Sequence, residues 1–249
     1  MFRNVKDQGI ILQLKTLKEA NKLLILFSKE HGKMSLLVKG AGKILSKNSP
    51  SLDAGNFVEF SYYKSKSDLD LLLEVKLVND YSNLKSANQG IGIIFYILEI
   101  INVFTQPELP TPQYFDEVTT LLELLDSDIN ISNTALSYFQ IKSLLIFGFQ
   151  PLLQQCCICD KPLKINSPRI ASFEGTIGYI CQDHFSELAN QNIIKDNILK
   201  VQRYLVNQNI SSLQSVKLEK QDWEILLSLQ NNWLQSVIEK KISAFSMIV

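Results

Sequence analysis

The sequence predicts an α+β protein in which a small five-stranded β-barrel precedes a helical domain with a cysteine module inserted in it. Three observations predict this: short β-runs broken by turn signals as far as Asp80, helical periodicity from Asn83 onward, and four cysteines confined between Cys156 and Cys181. The 249 residues carry 25 Lys+Arg against 25 Asp+Glu and are 46% hydrophobic. That apolar share is ordinary for a globular chain and too high for a disordered one. At roughly 100–200 residues per domain, the length makes one large or two small domains. The expected partition is 1–80 and 81–249, with the cysteine module at 154–186.

Five strands are expected at residues 9–16, 23–28, 33–39, 56–63 and 69–78, with turn signals at His31-Gly32 and at 65–68. The longest gap, 40–55, holds three glycines, Pro50 and several serines and lysines, and reads as a surface loop. Five strands in so short a stretch suit the OB-fold. Successive side chains of a strand point to opposite faces. Met34, Leu36 and Val38 should therefore face the core, while Lys33, Ser35 and Lys39 point away. In the fourth strand Val58, Phe60 and Tyr62 share one face, and Phe57, Glu59, Ser61 and Tyr63 share the other, which makes Tyr63 the more exposed ring.

Beyond the barrel, Ile93, Ile94, Ile97, Ile100, Ile101 and Phe104 recur at spacings of three and four and mark a helix that ends before Pro107. A second helix starts after Thr111-Pro112, where threonine can cap and proline is tolerated in the first turn, and runs to 125. Others are expected at 132–147, stopped by Gly148, at 193–206 and at 219–245. The longest apolar run, 91–98, is cut by Glu99, well short of the roughly 18 residues a membrane span needs. Charges at Arg3, Lys6, Asp7 and Lys15 stand where a secretory signal would be apolar. A cytoplasmic, reducing location without membrane attachment is the resulting expectation.

Three of the cysteines and a histidine form two pairs. Cys156-x-x-Cys159 is followed, after 21 intervening residues, by Cys181-x-x-His184. Two such knuckles can surround a tetrahedral Zn²⁺, which accepts thiolate sulfur and imidazole nitrogen. Pro162, Pro168, Gly175 and Gly178 make the spacer ribbon-like. The expected ligands are Cys156, Cys159, Cys181 and His184, with Cys157 a bystander, and the expected cofactor is one zinc per chain. Four protein ligands would close the coordination sphere and make the metal structural. The alternatives at this point are free buried cysteines, a redox C-x-x-C without a surrounding βαβ pattern, and a zinc deaminase without its H-x-E signature.

Little else proposes catalysis. Histidine occurs only at positions 31 and 184, and His31, flanked by Glu30, Gly32 and Lys33, reads as a solvated turn residue. Phosphate-binding and nucleophile-elbow motifs are missing; Gly40-Ala41-Gly42-Lys43 is too short for a P-loop. The charge distribution is more informative. Residues 1–81 hold 13 Lys/Arg against 9 Asp/Glu, and between Lys15 and Lys47 eight lysines face only Glu19 and Glu30, a local +6. Lysines attract the phosphates of duplex and single-stranded nucleic acids, and single strands also favour rings on which bases stack. The candidate contacts are Lys15, Lys18, Lys22, Lys33, Lys39, Lys43, Lys47 and Tyr63. Lysines that solubilise a sheet face or guard its edges would look the same by charge alone. A zinc-stabilised RNA-binding or protein-interaction module is therefore the alternative to a DNA-binding protein.

Several segments in order resemble the bacterial recombination mediator family RecO. In the β-domain they are Leu26-Phe27-Ser28-Lys29-Glu30-His31-Gly32-Lys33, Lys39-Gly40-Ala41 and Ser46. Further on come Leu144-Leu145-Ile146-Phe147-Gly148-Phe149-Gln150-Pro151, the Cys156 and Cys159 pair, and Gly178-Tyr179-Ile180-Cys181. Trp233-Leu234 and Lys240-Lys241-Ile242-Ser243 match the family's C-terminal end. The resemblance implies a non-enzymatic DNA repair protein that binds single- and double-stranded DNA and anneals complementary strands. It also implies cooperation with RecR in loading RecA onto strands coated by single-strand-binding protein, and contact with the acidic C-terminal tail of that protein. The implied location is the bacterial nucleoid. Two features depart from the family pattern: His184 replaces the commoner cysteine, and Lys43 and Lys47 stand in a loop that is usually arginine-rich. Lysine lacks arginine's bidentate fork.

Overall fold

Alternating apolar side chains build β1 (Asn4–Thr16), β2 (Lys22–Ser28), β3 (Gly32–Val38), β4 (Phe57–Tyr63) and β5 (Asp70–Asn79), which close a barrel in the order β1-β2-β3-β5-β4. Neighbours run antiparallel except β3 and β5, which are parallel. This is the expected OB-fold. The computed structural model describes residues 4–17, 21–39, 49–65, 69–171, 177–187 and 193–248. Ile11, Leu24, Leu26, Leu36, Val58 and Phe60 are central to the barrel's core. Each such side chain contributes about 1.5–3 kcal/mol by leaving water. The faces follow the alternation: Leu36 and Val38 are fully buried, and Tyr62 is 2% exposed while Tyr63 is half-buried. β1 starts earlier than expected because Lys6, Asp7 and Gln8 look like loop in the sequence, yet pair with Ser61, Phe60 and Glu59 of β4.

The partition expected at 80/81 marks where strands give way to helices, whereas the compact unit holding the barrel takes in the described residues up to Ser127, together with Ser246–Ile248. Packing explains the difference. α1 (Ser82–Ser86), α2 (Gly90–Phe104) and α3 (Pro112–Ser127) follow the barrel, and α3 lays Tyr114 and Phe115 on Phe27 of β2 at ring separations of 6.0 and 5.5 Å. Phe57 of β4 meets Phe115 edge-on at 5.9 Å. α2 is apolar nearly all round and mostly buried, with Ile91 and Phe95 exposed. Gly92 lies so close to the end of the chain that a Cβ there would sit 2.7 Å from the backbone oxygen of Met247.

The second unit, Asp128–Phe245, contains α4 (Ser132–Ile146), a three-stranded sheet, α5 (Asp196–Val206) and α6 (Lys220–Ile238). β6 (Leu152–Cys156), β7 (Arg169–Ala171) and β8 (Gly178–Cys181) make the sheet in the order β6-β8-β7. α4 and α6 pack through apolar faces fastened by buried polar bonds: Ser137 Oγ donates to Gln230 Oε1 at 2.7 Å, and Gln140 Nε2 to the Leu227 carbonyl at 3.1 Å. The last helix stops at Ile238 instead of reaching 245. Glu239 turns into the left-handed region at φ 52°, and Gln235 Oε1 accepts the Ile242 N–H at 2.8 Å, which ties the departing chain back to the helix. Among the described residues no helix is long and apolar enough to cross a membrane.

Candidate metal centre and nucleic-acid face

The two sequence pairs meet at the edge of the small sheet. Cys156 ends β6 and enters a tight turn in which Asp160 N donates to the Cys156 carbonyl at 3.1 Å, with Asp160 at φ 57°. Cys181 ends β8 and leads into a 3-10 turn, Gln182–Glu187, that carries His184. β6 and β8 are neighbours in the sheet, so pairing of the strands delivers the two knuckles to one point.

The ligand atoms of Cys156, Cys159, Cys181 and His184 all lie within 4.8 Å of one another. Cys159 Sγ is 3.8 Å from Cys181 Sγ, and His184 Nδ1 is 3.7 Å from Cys156 Sγ and 3.5 Å from Cys181 Sγ. A tetrahedron with metal–sulfur bonds near 2.3 Å and metal–nitrogen bonds near 2.05 Å has edges of about 3.8 and 3.6 Å. The separations fit a shared ion, and all four cysteines are free thiols. The donor set of three sulfurs and one imidazole nitrogen suits a borderline-soft divalent metal. Cys157 stands outside the cluster, with its sulfur against Gly178, where a Cβ would come within 2.7 Å of it.

The surroundings favour negative charge on one sulfur. Burial pushes the Cys156 thiol up, but backbone N–H groups of Cys181, Ile158 and Cys159 directed at the sulfur outweigh it and bring the group to about 6. Two of these donors, Ile158 N and Cys181 N, lie 3.4 Å from Sγ. Burial first, and then the neighbouring thiols, push Cys181 up to about 11. A cation among the sulfurs would relieve that mutual opposition, because a coordinating thiol is deprotonated outright.

Helices hold the sheet in place. Tyr179 of β8 is fully buried, sets its ring edge-on to Trp233 of α6 at 5.8 Å, and donates its hydroxyl to Gln202 of α5. Arg169 of β7 is paired with Asp196 at the start of α5, whose other carboxylate oxygen accepts the Asn166 N–H at 2.8 Å. Arg203 of α5 donates to the carbonyls of Leu153 and Leu163, each at 2.9 Å. None of these supporting residues was among the candidates; their signal, polar groups in apolar segments, becomes visible only once burial is known.

The barrel gathers some of the candidate lysines and separates others. Lys22 pairs with Thr16 of β1 and Val38 of β3, so Lys15, Lys22 and Lys39 stand at one end of three adjacent strands. Lys15 and Lys39 are exposed and Lys22 is half-buried. The start of β5 pairs with the end of β3, and Leu71 pairs with Tyr63, which brings Tyr63 to that same end. Lys33 does not join them. It lies at the opposite end of β3, about 20 Å away along the strand, and its ammonium donates to the Asn102 carbonyl at 2.7 Å. Lys18, Lys43 and Lys47 fall outside the described residues.

His31 stands in the turn as expected, with its side chain 39% exposed, but it is also bonded. Its Nδ1 lies 2.9 Å from Oδ2 of Asp7, whose side chain is 2% exposed, and its ring sits edge-on to Tyr62 at 5.9 Å. Ser28 donates its hydroxyl to the same carboxylate oxygen and accepts the His31 N–H at 2.9 Å. Serine is thus bonded to the acid and not to the imidazole, so the trio closes the β2–β3 turn without forming a nucleophile–base pair.

Barrel and knuckle together define the class: an OB-fold protein whose helical unit carries a cysteine–histidine cluster that could hold a metal ion. The family model described as Recombination protein O N terminal matches residues 1–81, and the one described as Recombination protein O C terminal matches residues 89–244. The chain belongs to this family of DNA repair and recombination proteins. Among its relatives is a DNA repair protein RecO of Dehalococcoides mccartyi, 26% identical over 243 residues, spanning 96% of this chain and 92% of the relative. Another, of Prosthecochloris aestuarii, is 24% identical over 87% of this chain and 85% of its own length. A third, of Lactobacillus acidophilus, is 28% identical over 89% of this chain and 87% of its own.

Proposed function

We propose that this chain is a recombination mediator that binds single- and double-stranded DNA and anneals complementary strands, with no catalytic turnover of its own. In this reading it acts with RecR to load RecA onto strands coated by single-strand-binding protein, touches the acidic tail of that protein, and works in the bacterial cytoplasm at the nucleoid. Family membership carries the reading, and the clustering of Lys15, Lys22 and Lys39 at one end of the barrel supports it. Phosphates held by lysines release counterions, and two strands neutralised on one surface can approach closely enough for their bases to pair. The work is positional.

The same reading makes the metal a zinc, one per chain, held by Cys156, Cys159, Cys181 and His184. When bound it would supply folding energy to the module, because four protein ligands leave no position open for water or substrate.

Annealing of complementary oligonucleotides coated with single-strand-binding protein, with and without its acidic tail, tests the activity directly. For the binding surface, replacing Lys15, Lys22 and Lys39 by alanine should lower the slope of log affinity against log salt for single strands by about 2, since each neutralised phosphate contributes about 0.7. Lys33→Ala should leave the slope unchanged. Failure of the unaltered protein to bind oligonucleotides in dilute buffer would overturn the reading.

A further inference from the structure

The four cysteine sulfurs differ in what surrounds them. Cys156 is fully buried, and its Sγ accepts the N–H groups of Ile158 and Cys181, each at 3.4 Å. Cys157 lies outside the cluster, with its sulfur against Gly178. Cys159 and Cys181 are half-buried and stand on opposite knuckles, Cys159 in the turn beyond β6 and Cys181 at the last position of β8. Their Sγ atoms are 3.8 Å apart. A disulfide holds its sulfurs at about 2.05 Å, so closure by about 1.8 Å separates this pair from a covalent bond. The strands behind the knuckles have supports of their own, since Arg203 donates to the Leu153 and Leu163 carbonyls and Tyr179 packs edge-on against Trp233. Between the knuckles, beyond the ligand atoms, runs the exposed Lys161–Asp183 pair.

We infer that Cys159 and Cys181 form a reversible disulfide that takes the place of the metal when a hydroperoxide is present, which makes the module a redox-sensitive switch. The inference rests on the metal reading above and gives that site a second state. Metal-bound thiols are thiolates. One thiolate of the pair attacks an oxygen of hydrogen peroxide, the O–O bond breaks, the sulfur becomes a sulfenic acid, and the other oxygen takes a proton and leaves as water. The second thiolate attacks that sulfur, the S–S bond forms, the S–O bond breaks, and the departing hydroxide takes a proton to become water. The two sulfurs lose two electrons between them, and the peroxide gains them. Only Cys156 and His184 then remain as donors, too few to retain the ion. Access selects the pair, because oxidation follows exposure and Cys156 has no exposed surface. Topology makes it reversible: a bond across the knuckles keeps both turns together across the 21 residues between them, so reduction restores the four donors in place. A Cys156–Cys159 bond within one knuckle would leave the other unattached.

The test uses the unaltered full chain, which removes any question of misfolding. Its metal content is measured, hydrogen peroxide is added beside a chromogenic zinc chelator, and the unreduced peptides are mapped by mass spectrometry. About one zinc should be released for each Cys159–Cys181 disulfide formed, since the pair supplies half of a four-donor set. Dithiothreitol followed by zinc should return the protein to its starting metal content. Cys157→Ser, which spares every ligand, should release zinc and pair its sulfurs as the unaltered protein does. A disulfide that includes Cys156 or Cys157, sulfinic acid in place of a disulfide, zinc retained after the disulfide has formed, or metal content that reduction does not restore would each overturn the switch while leaving the metal site itself intact. Absence of metal from the untreated protein would remove the underlying reading, and the switch with it.

Discussion

The barrel and the cysteine module are both small β-structures, yet they are held together by different means. In the barrel, strands of 7 to 13 residues close on themselves, and the core draws on every strand. In the module, strands of 5, 3 and 4 residues form an open sheet, too short for stability on ladder bonds alone. Its order converges on four ligand atoms at one edge. Cohesion is spread out in the first and concentrated in the second, so the same kind of perturbation should have local consequences in one and sweeping consequences in the other.

The sharpest break of that comparison is removal of the proposed metal. Chelation, or Cys159→Ser, should speed amide hydrogen exchange across residues 152–184 and leave exchange in β1–β5 unchanged, and metal analysis of the untreated protein should find about one zinc per chain, as expected for a structural site whose binding energy is folding energy. Matching acceleration in the barrel would show that the two regions share their stability. Next in size is a cavity in the barrel: Leu26→Ala, at a side chain with no exposure, should cost about 3 kcal/mol in denaturant titration without releasing metal. Loss of zinc from that variant would contradict the separation. The smallest effect is expected where the module carries an ion pair on its surface. Lys161 and Asp183 join the two knuckles at 2.6 Å, but their side chains are 65% and 61% exposed. Lys161→Ala should change neither melting temperature nor metal content measurably, because an exposed pair is screened and gains little over its solvated parts.

How much of this was legible in the sequence depends on the range of the interaction. Alternation in β3 and β4 is local, so the faces of Leu36, Val38, Tyr62 and Tyr63 could be read directly. The two Cys/His pairs that cluster were legible for the same reason, since two intervening residues define a knuckle whatever lies between the knuckles. The beginning of β1 was not, because Asp7 turns inward to meet Ser28 and His31, partners more than twenty positions away. Lys33 points away from the core as alternation requires. Which end of the barrel it occupies depends on strand register, and what holds it depends on a helix carbonyl 69 positions distant. The end of α6 was hidden by an apolar pattern that continues past Glu239, although the backbone there has already left the helix. β7 and β8 are too short to announce themselves within a segment punctuated by glycine and proline.

The return of Ser246–Ile248 to the first unit, where Met247 lies on Gly92, bears on how the protein is made. Domains usually fold in the order in which the ribosome releases them. Here the unit translated first gains its contact at Met247 only after the second unit has been made, because Ser246–Ile248 follow that unit in the sequence.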